Sequence, residues 1–404
     1  MPKKTKIIIK ENDGLSSNDF TFIDLFAGAG GFSKGLEMAG FKCLAGVDFD
    51  ENAMITFTNN FPGANHIIAD LSNSEQRKGL INQFRKYHLS GIVAGIPCQA
   101  FSLAGNRDPL ERKAYFFLDF FQFVKELQPV FFVIENVVGL TSMKIISPSM
   151  IDLDSMTIKN DELESLLKNI RIYKDLKRFN SQRKLSKNES DIYTRLKNNI
   201  KEMGLKVDNF LIPLLDEIIE QGKSLDYEIA WKILNAGDFG SAQNRKRVFF
   251  VGVKKNQKKS FDFPLEIPNS ITAGDVIKDL ADKPEGFLPN HDFTKHSKSM
   301  IERIKNVKPG MNLYENFKDA WWKIKPDEKT RVCKENHGGV MLNPWVDRVC
   351  SPRELARLQG VTDDFVFCGV KSSVLRQIGN MIDWHLSKAI GLALKEFLTE
   401  KNCL

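Results

Sequence analysis

Between residues 20 and 140, short apolar runs alternate with helix-patterned stretches, which restricts the chain to a small set of α/β architectures. Thr21-Phe22-Ile23-Asp24-Leu25-Phe26 has the composition of a buried strand and runs into a glycine-rich turn, with a helix expected from about 33 to 39. Residues 41–47 predict a second strand ending in Asp48, and His66-Ile67-Ile68-Ala69 predicts a third leading to Asp70. Ile92-Val93-Ala94-Gly95-Ile96 makes a fourth, residues 114–127 an aromatic-rich helix, and Phe131-Phe132-Val133-Ile134 a fifth that delivers Glu135-Asn136-Val137. Strands joined by helical crossovers pair in parallel, and such sheets hold ligands outside the carboxyl ends of their strands. Three of these strands end in carboxylates: Asp48, Asp70 and Glu135.

At 404 residues the chain exceeds one ordinary core, so two or three domains are expected. Residues 141–210 carry 14 Lys/Arg and 10 Asp/Glu with few glycines, which predicts a mostly helical insertion with a loop near 181–189. Its charge run reads first as a solvated face. The α/β pattern resumes with Tyr227-Glu228-Ile229-Ala230-Trp231 and again with Val248-Phe249-Phe250-Val251-Gly252-Val253. Prolines at 264, 268, 284, 289, 309, 326 and 344 then divide residues 254–345 into short segments, the mark of a small irregular domain. Basic residues only modestly outnumber acidic ones there, so an anion-binding surface must come from placement. Residues 346–404 return to a helical pattern. Within them, Ser351-Pro352-Arg353-Glu354 supplies an N-cap, a proline at the first position and an acid in the first turn.

A formal net charge of +7 makes nucleic acid the first candidate partner. The six cysteines are scattered without a CxxC pair, matching neither a zinc module nor a disulfide framework, so no metal site is expected and the thiols read as reduced and cytosolic. The basic start is followed only by Ile7-Ile8-Ile9, too short for a signal-peptide core. The apolar run around 116–134 is broken by Asp119, Lys125 and Glu126, so no membrane span is expected.

Cys98, in Pro97-Cys98-Gln99-Ala100, follows the fourth strand, and Glu135 ends the fifth. A thiol and a carboxylate at neighbouring strand ends form a candidate nucleophile and acid pair, although an isolated free cysteine is more often a small buried hydrophobe. Gly28-x-Gly30 is half of a dinucleotide fingerprint, but the third glycine position holds Ser33, which disfavours a diphosphate and suits a nucleoside. Asp48, about 20 residues on, is placed for ribose hydroxyls, while Phe26 and Phe49 offer faces for an adenine ring. A structural turn with core phenylalanines is the equal alternative.

Six motifs occur in one order: Asp24-Leu25-Phe26-Ala27-Gly28-Ala29-Gly30-Gly31, Pro97-Cys98-Gln99, Glu135-Asn136-Val137, Gln243-Asn244-Arg245-Lys246-Arg247, Arg353-Glu354-x-Ala356-Arg357-Leu358-Gln359-Gly360, and Gln377-Ile378-Gly379-Asn380. In this order they resemble the DNA (cytosine-5)-methyltransferases of the bacterial restriction-modification type, over about 20–140, 227–253 and 347–395. The resemblance implies a Rossmann-like, mostly parallel α/β methyltransferase domain (1–253, including the insertion), a target-recognition domain (254–345) and a C-terminal segment (346–404) folding back onto the first. It implies S-adenosylmethionine as methyl donor and S-adenosylhomocysteine as product. The pocket would be formed by Phe26, Gly28, Gly30, Gly31, Asp48, Phe49, Asp70, Leu71, Pro97, Phe116 and Asn380. Met381 stands where the family has serine.

By the same resemblance Cys98 adds to C6 of cytosine, Glu135 holds N3, and Arg247 and Arg245 bond the base carbonyl and steady Glu135. A base stacked in a duplex is out of reach of such a nucleophile, so the target is flipped out. Residues 99–112 then suit a loop closing over double-stranded DNA, hinged at Gly105, with Gln99, Ser102 and Arg107 as DNA contacts. Asn336 and His337 are candidates to reach base edges. The type further implies a cytoplasmic, nucleoid-associated monomer on DNA with a companion restriction endonuclease. Three rivals remain at this point: a tRNA cytosine methyltransferase, whose Cys-Phe-Thr tripeptide is absent; a catalytically silent DNA-binding protein; and an NAD-dependent dehydrogenase, disfavoured by Ser33.

Overall fold

The computed structural model describes residues 19–97, 112–152, 155–255, 260–268, 270–315, 321–334 and 340–400. Contacts divide the chain into two units, one of Met1–Pro97, Leu118–Val138 and Gly222–Leu404, the other of Cys98–Phe117 and Gly139–Gln221.

The first unit is built on β1 (Thr21–Leu25), α1 (Gly31–Met38), β2 (Lys42–Asp48), α2 (Glu51–Asn60), β3 (Asn65–Ile68), α3 (Ser74–Phe84), β4 (Gly91–Gly95), α4 (Phe116–Leu127) and β5 (Phe131–Val137), α4 beginning in the second unit. The strands expected from the apolar runs are all present, shifted by a residue or two at their ends. Later in the chain, β10 (Tyr227–Asn235) and β11 (Lys246–Lys254) complete a seven-stranded sheet. Its order is β10-β11-β5-β4-β1-β2-β3, and within it β11 alone runs against the other six strands. β1 is buried along its whole length and β4 along nearly all of it, as parallel strands covered on both faces must be. Phenylalanines fill the core, among them Phe41 edge-on to Phe131 at 5.6 Å and Phe32 edge-on to Phe249 at 6.3 Å.

The second unit holds β6 (Lys144–Ile146), β7 (Ile151–Asp152), β8 (Thr157–Ile158), α5 (Asp161–Gln182), α6 (Lys187–Asp208), β9 (Leu211–Pro213) and most of α7 (Leu214–Ser224). The insertion is a helical hairpin that breaks at 183–186, inside the expected loop. Asn160 caps α5 through Leu163 N–H, and Ser186 with Glu189 forms a capping box at the start of α6. Leu163, Leu167 and Leu176 on α5 and Leu196, Met203 and Val207 on α6 are buried, and Tyr173 stacks on Tyr193 at 5.5 Å.

Residues 254–345 contribute α8 (Ala273–Ile277), α9 (Lys298–Lys305), β12 (Trp322–Lys323) and β13 (Met341–Leu342), joined by irregular chain. They are followed by α10 (Pro352–Leu358), α11 (Lys371–Asn380) and α12 (Trp384–Thr399). Ser351 caps α10 in a box with Glu354, as its sequence predicts. No helix among the described residues is long and apolar enough to cross a membrane.

Candidate active site

The carboxyl ends of β1, β2, β3, β4 and β5 bring most of the expected residues to one edge of the sheet. Gly30 caps α1 without a side chain, and Asp24 supplies the missing acceptor from the strand beneath: its Oδ2 receives Ser33 N–H (3.2 Å) and Ser33 Oγ–H (2.7 Å). Ser33 therefore ties the turn to β1 where a dinucleotide fingerprint has glycine. Asp24 is fully buried and its Oδ1 has no partner, and burial pushes its pKa up to about 7.

Asp48 closes the glycine turn from the next strand. Its Oδ2 accepts Gly28 N–H at 2.8 Å and its Oδ1 accepts Asp50 N–H at 2.9 Å. Gly28 has a φ of +54°, and a Cβ placed there would meet nothing within 4 Å, so the turn faces open space. Gly31 is in the opposite situation: a Cβ would stand 2.3 Å from Met381 Cγ and 2.6 Å from the Ile382 carbonyl. Met381 is itself buried, so the residue that replaces the family's serine packs onto the glycine turn. Phe49 follows Asp48 with 67% of its surface exposed, a face free for stacking. Asp70 and Asn380 are exposed, Leu71 is buried, and Phe26 adopts a positive φ of 60° at the end of β1. Phe116 belongs to the second unit.

Glu135 pairs with Gly95 of β4 on one side and with Phe249 of β11 on the other. Arg247 faces Val137 across the antiparallel pair, so Glu135 is its diagonal neighbour on the same face, and Arg247 Nε lies 3.0 Å from Glu135 Oε1. Burial raises the Glu135 pKa above the usual carboxylate range, against the pull of Arg247 and Arg245. Asn136 donates from Nδ2 to the Ile96 carbonyl at 3.0 Å, pinning the backbone immediately before Pro97. Within the motif, Glu135 is thus paired with Arg247 while its neighbour Asn136 holds the backbone of the adjoining strand end. Cys98, Gln99, Ser102, Gly105, Arg107, Asn336 and His337 lie outside the described residues.

Arg245 is buried and commits its guanidinium to main-chain carbonyls: Cys333 from Nη1 at 3.1 Å, and Gly379 and Met381 from Nη2 at 3.0 and 2.9 Å. Gln243 Nε2 and Ser241 Oγ both donate to the buried Asp383 Oδ2, and Asp383 also caps α12 through His385 N–H. These contacts clasp the C-terminal helices to the start of β11.

The family of C-5 cytosine-specific DNA methylases matches residues 20–154 and 199–396 of this chain. The chain belongs to that family. As a DNA (cytosine-5)-methyltransferase it falls among similar proteins that include the Type II methyltransferases M1.HphI of Haemophilus parahaemolyticus and M.DdeI of Desulfomicrobium norvegicum. The first is 28% identical over 94% of this chain and 88% of its own length, the second 24% identical over 95% and 90%. A prophage-encoded DNA modification methyltransferase of E. coli shares the fold with a TM-score of 0.64 at 23% identity, covering 94% of this chain and all of its own. The S. pombe Dnmt2 methyltransferase does so with a TM-score of 0.56 at 12% identity, over 95% and 99%.

Membership implies S-adenosylmethionine as the methyl donor of this methylase, and the open face at Gly28, the exposed Phe49 and the absence of a third fingerprint glycine fit a nucleoside without a diphosphate. Sequence reasoning did not single out Asn136 or Asp383. Asn136 was visible only as the middle of a motif, and the one signal for Asp383 was its place just before the helix starting at Trp384.

Proposed function

We propose that the methylase acts on C5 of a cytosine flipped out of a specific short duplex sequence, through a transient bond between Cys98 and C6. The observation that carries this is the buried, charge-paired Glu135 on the strand beside Ile96-Pro97, whose backbone Asn136 holds. Cytosine C5 is too electron-poor to take a methyl group directly. Addition of the Cys98 thiolate to C6, with a proton passing from Glu135 to N3, converts the ring into an enamine with a nucleophilic C5. The raised pKa of Glu135 suits it to carry that proton, and Arg247 orients the carboxyl while offering donors to the base carbonyl. When bound, S-adenosylmethionine supplies an electrophilic methyl group. Residues of the turn from Phe26 to Gly31, with Asp48, Phe49, Asp70, Leu71, Pro97, Phe116 and Asn380, would hold it. Loss of the C5 proton to water then expels Cys98, and the N3 proton returns to Glu135. Arg245, committed to the chain backbone, acts here by positioning its neighbour Arg247.

Residues 254–345 serve in this reading as the target-recognition domain. A concavity of about 490 Å³ lined by Asn244, Trp322, Lys325, Glu328, Lys329, Arg331 and Lys334 brings four cations together there, one of them, Lys325, paired with Glu328 at 2.8 Å. In this reading the loop 99–112 closes over the DNA, with Ser102 and Arg107 on phosphates and Gln99 a further DNA contact. The relatives' Type II names support a restriction-modification setting with a companion endonuclease, and the enzyme works as a cytoplasmic monomer on DNA. Duplex containing 5-fluorocytosine tests the chemistry, because no C5 proton can leave and the adduct persists. With methyl donor present, a covalent protein–DNA band is expected for the native chain and none for Cys98→Ser. No band with the native chain, or a Cys98-dependent band with tRNA alone, overturns the proposal.

A further inference from the structure

The internal stretch that the family leaves unmatched, residues 155–198, holds α5 and the first half of α6, and the charges of this helical hairpin are sorted along its length. At its root the carboxylates have an internal explanation: Asp161, Glu162 and Glu164 occupy the first turn of α5, where the helix dipole favours them. The distal part has no such balance. Residues 172–197 hold eight Lys/Arg against three Asp/Glu, five of the seven net positive charges of the whole chain. Arg183 is paired with Glu189 at 2.6 Å and Arg178 with Asp175 at 3.4 Å. Lys174, Lys177, Lys184, Lys187, Arg195 and Lys197 are all exposed and make no ion pair among the described residues. Lys187 sits in the first turn of α6, against the helix dipole, and Lys174 and Lys177 are like-charged neighbours on α5.

Six exposed cations without carboxylate partners repel one another and suit an external polyanion, and for a DNA methylase the polyanion at hand is duplex DNA. We propose that the hairpin tip binds the phosphate backbone of duplex DNA outside the methylated sequence, an inference that rests on the DNA-methylating function above. With 22 residues per helix the arms run about 33 Å, enough to span roughly one turn of duplex. The contact is electrostatic and indifferent to base sequence, so it raises affinity for long DNA and steepens its salt dependence without changing which cytosine is methylated.

The test compares the native enzyme with a variant carrying Lys177→Gln, Lys184→Gln, Lys187→Gln and Arg195→Gln. Binding is measured against salt on a long duplex and on one trimmed to the methylated sequence, that sequence first being mapped by bisulfite sequencing. On the long duplex the slope of log K against log salt is expected to fall in magnitude by about 3.6 for four lost contacts, and on the trimmed duplex to stay the same. Interchanging the charges (Lys177→Arg, Lys184→Arg, Lys187→Arg, Arg195→Lys) is expected to keep the native slope, separating charge from misfolding. An unchanged slope on long DNA overturns the inference, as does an equal loss on both duplexes. So does a loss confined to RNA or to vesicles containing anionic lipid. A native enzyme that methylates no DNA overturns the functional reading itself, and is recognised before any variant is compared.

Discussion

Asp24→Asn isolates the carboxyl that the fold buries beneath the glycine turn. Asp24 is fully buried, Ser33 satisfies only its Oδ2, and burial lifts its pKa from 3.8 to about 7, with nearby Asp48 adding to the rise. Between those values the folded protein keeps a proton that the unfolded chain has already released, so rising pH favours the unfolded state across that window and no further above it. From about pH 5 to pH 8 the span of roughly two units corresponds to about 3 kcal/mol of stability lost, at ~1.4 kcal/mol per unit. Asparagine accepts the same two bonds from Ser33 through one oxygen and titrates nothing. Urea unfolding of both proteins across this pH range is the assay. Glu135 titrates in both and cancels in the difference, Asp48 enters only through its coupling to Asp24, and the difference is expected to move by about 3 kcal/mol in favour of the variant as pH rises. A difference flat in pH would refute the burial argument, and one moving the other way would mean that Asp24 is ionised and compensated.

Replacing Arg245 with Ala leaves the carbonyls of Cys333, Gly379 and Met381 without their donor, and a loss of about 3 kcal/mol or more is expected in the urea midpoint. Glu135→Gln is expected to lower kcat by roughly 10²–10⁴ in a methyl-transfer assay with DNA affinity little changed. Because the Glu135 pKa is raised, native kcat should fall only as pH climbs past the usual carboxylate range, and the variant should lose that alkaline limb. Gly31→Ala drives a Cβ into Met381 and the Ile382 carbonyl, for a cost of about 1–3 kcal/mol and weaker S-adenosylmethionine binding by calorimetry. Adding Met381→Ala should restore little, since the Ile382 carbonyl is main chain and stays in place.

Much of this was legible from residue order alone. Apolar runs of four to seven residues bounded by glycine, proline or acid gave the strands, because a buried parallel strand has no choice but to be apolar on both faces. The carboxylates at their ends gave the edge where the site lies. What stayed hidden depended on contacts between distant residues. Nothing in Gln243-Asn244-Arg245-Lys246-Arg247 tells which arginine faces the glutamate; the register of β11 on β5 decides it, turning Arg247 toward Glu135 and leaving Arg245 to the C-terminal backbone. Ser33 was visible as a departure from a fingerprint, but its bond to Asp24 needed the strand beneath the helix. The helical hairpin was readable as helix from its periodicity, yet the sorting of charge between root and tip emerged only once the two helices lay side by side.

The clasp between the glycine turn and the C-terminal helices also sets an order of events in the cell. Ser387 Oγ donates to the Gly31 carbonyl across 356 residues of sequence, and Gly31 is shaped by Met381 and Ile382. At a synthesis rate of ~5–20 residues per second, the turn leaves the ribosome roughly 20–70 s before the residues that cover it. Through that interval the nascent strand and turn wait with their apolar faces uncovered, a window in which chaperones have a natural client. The turn is therefore completed late and all at once, and a translation product that stops short of α12 leaves Gly31 without the Ser387 hydroxyl that holds its carbonyl.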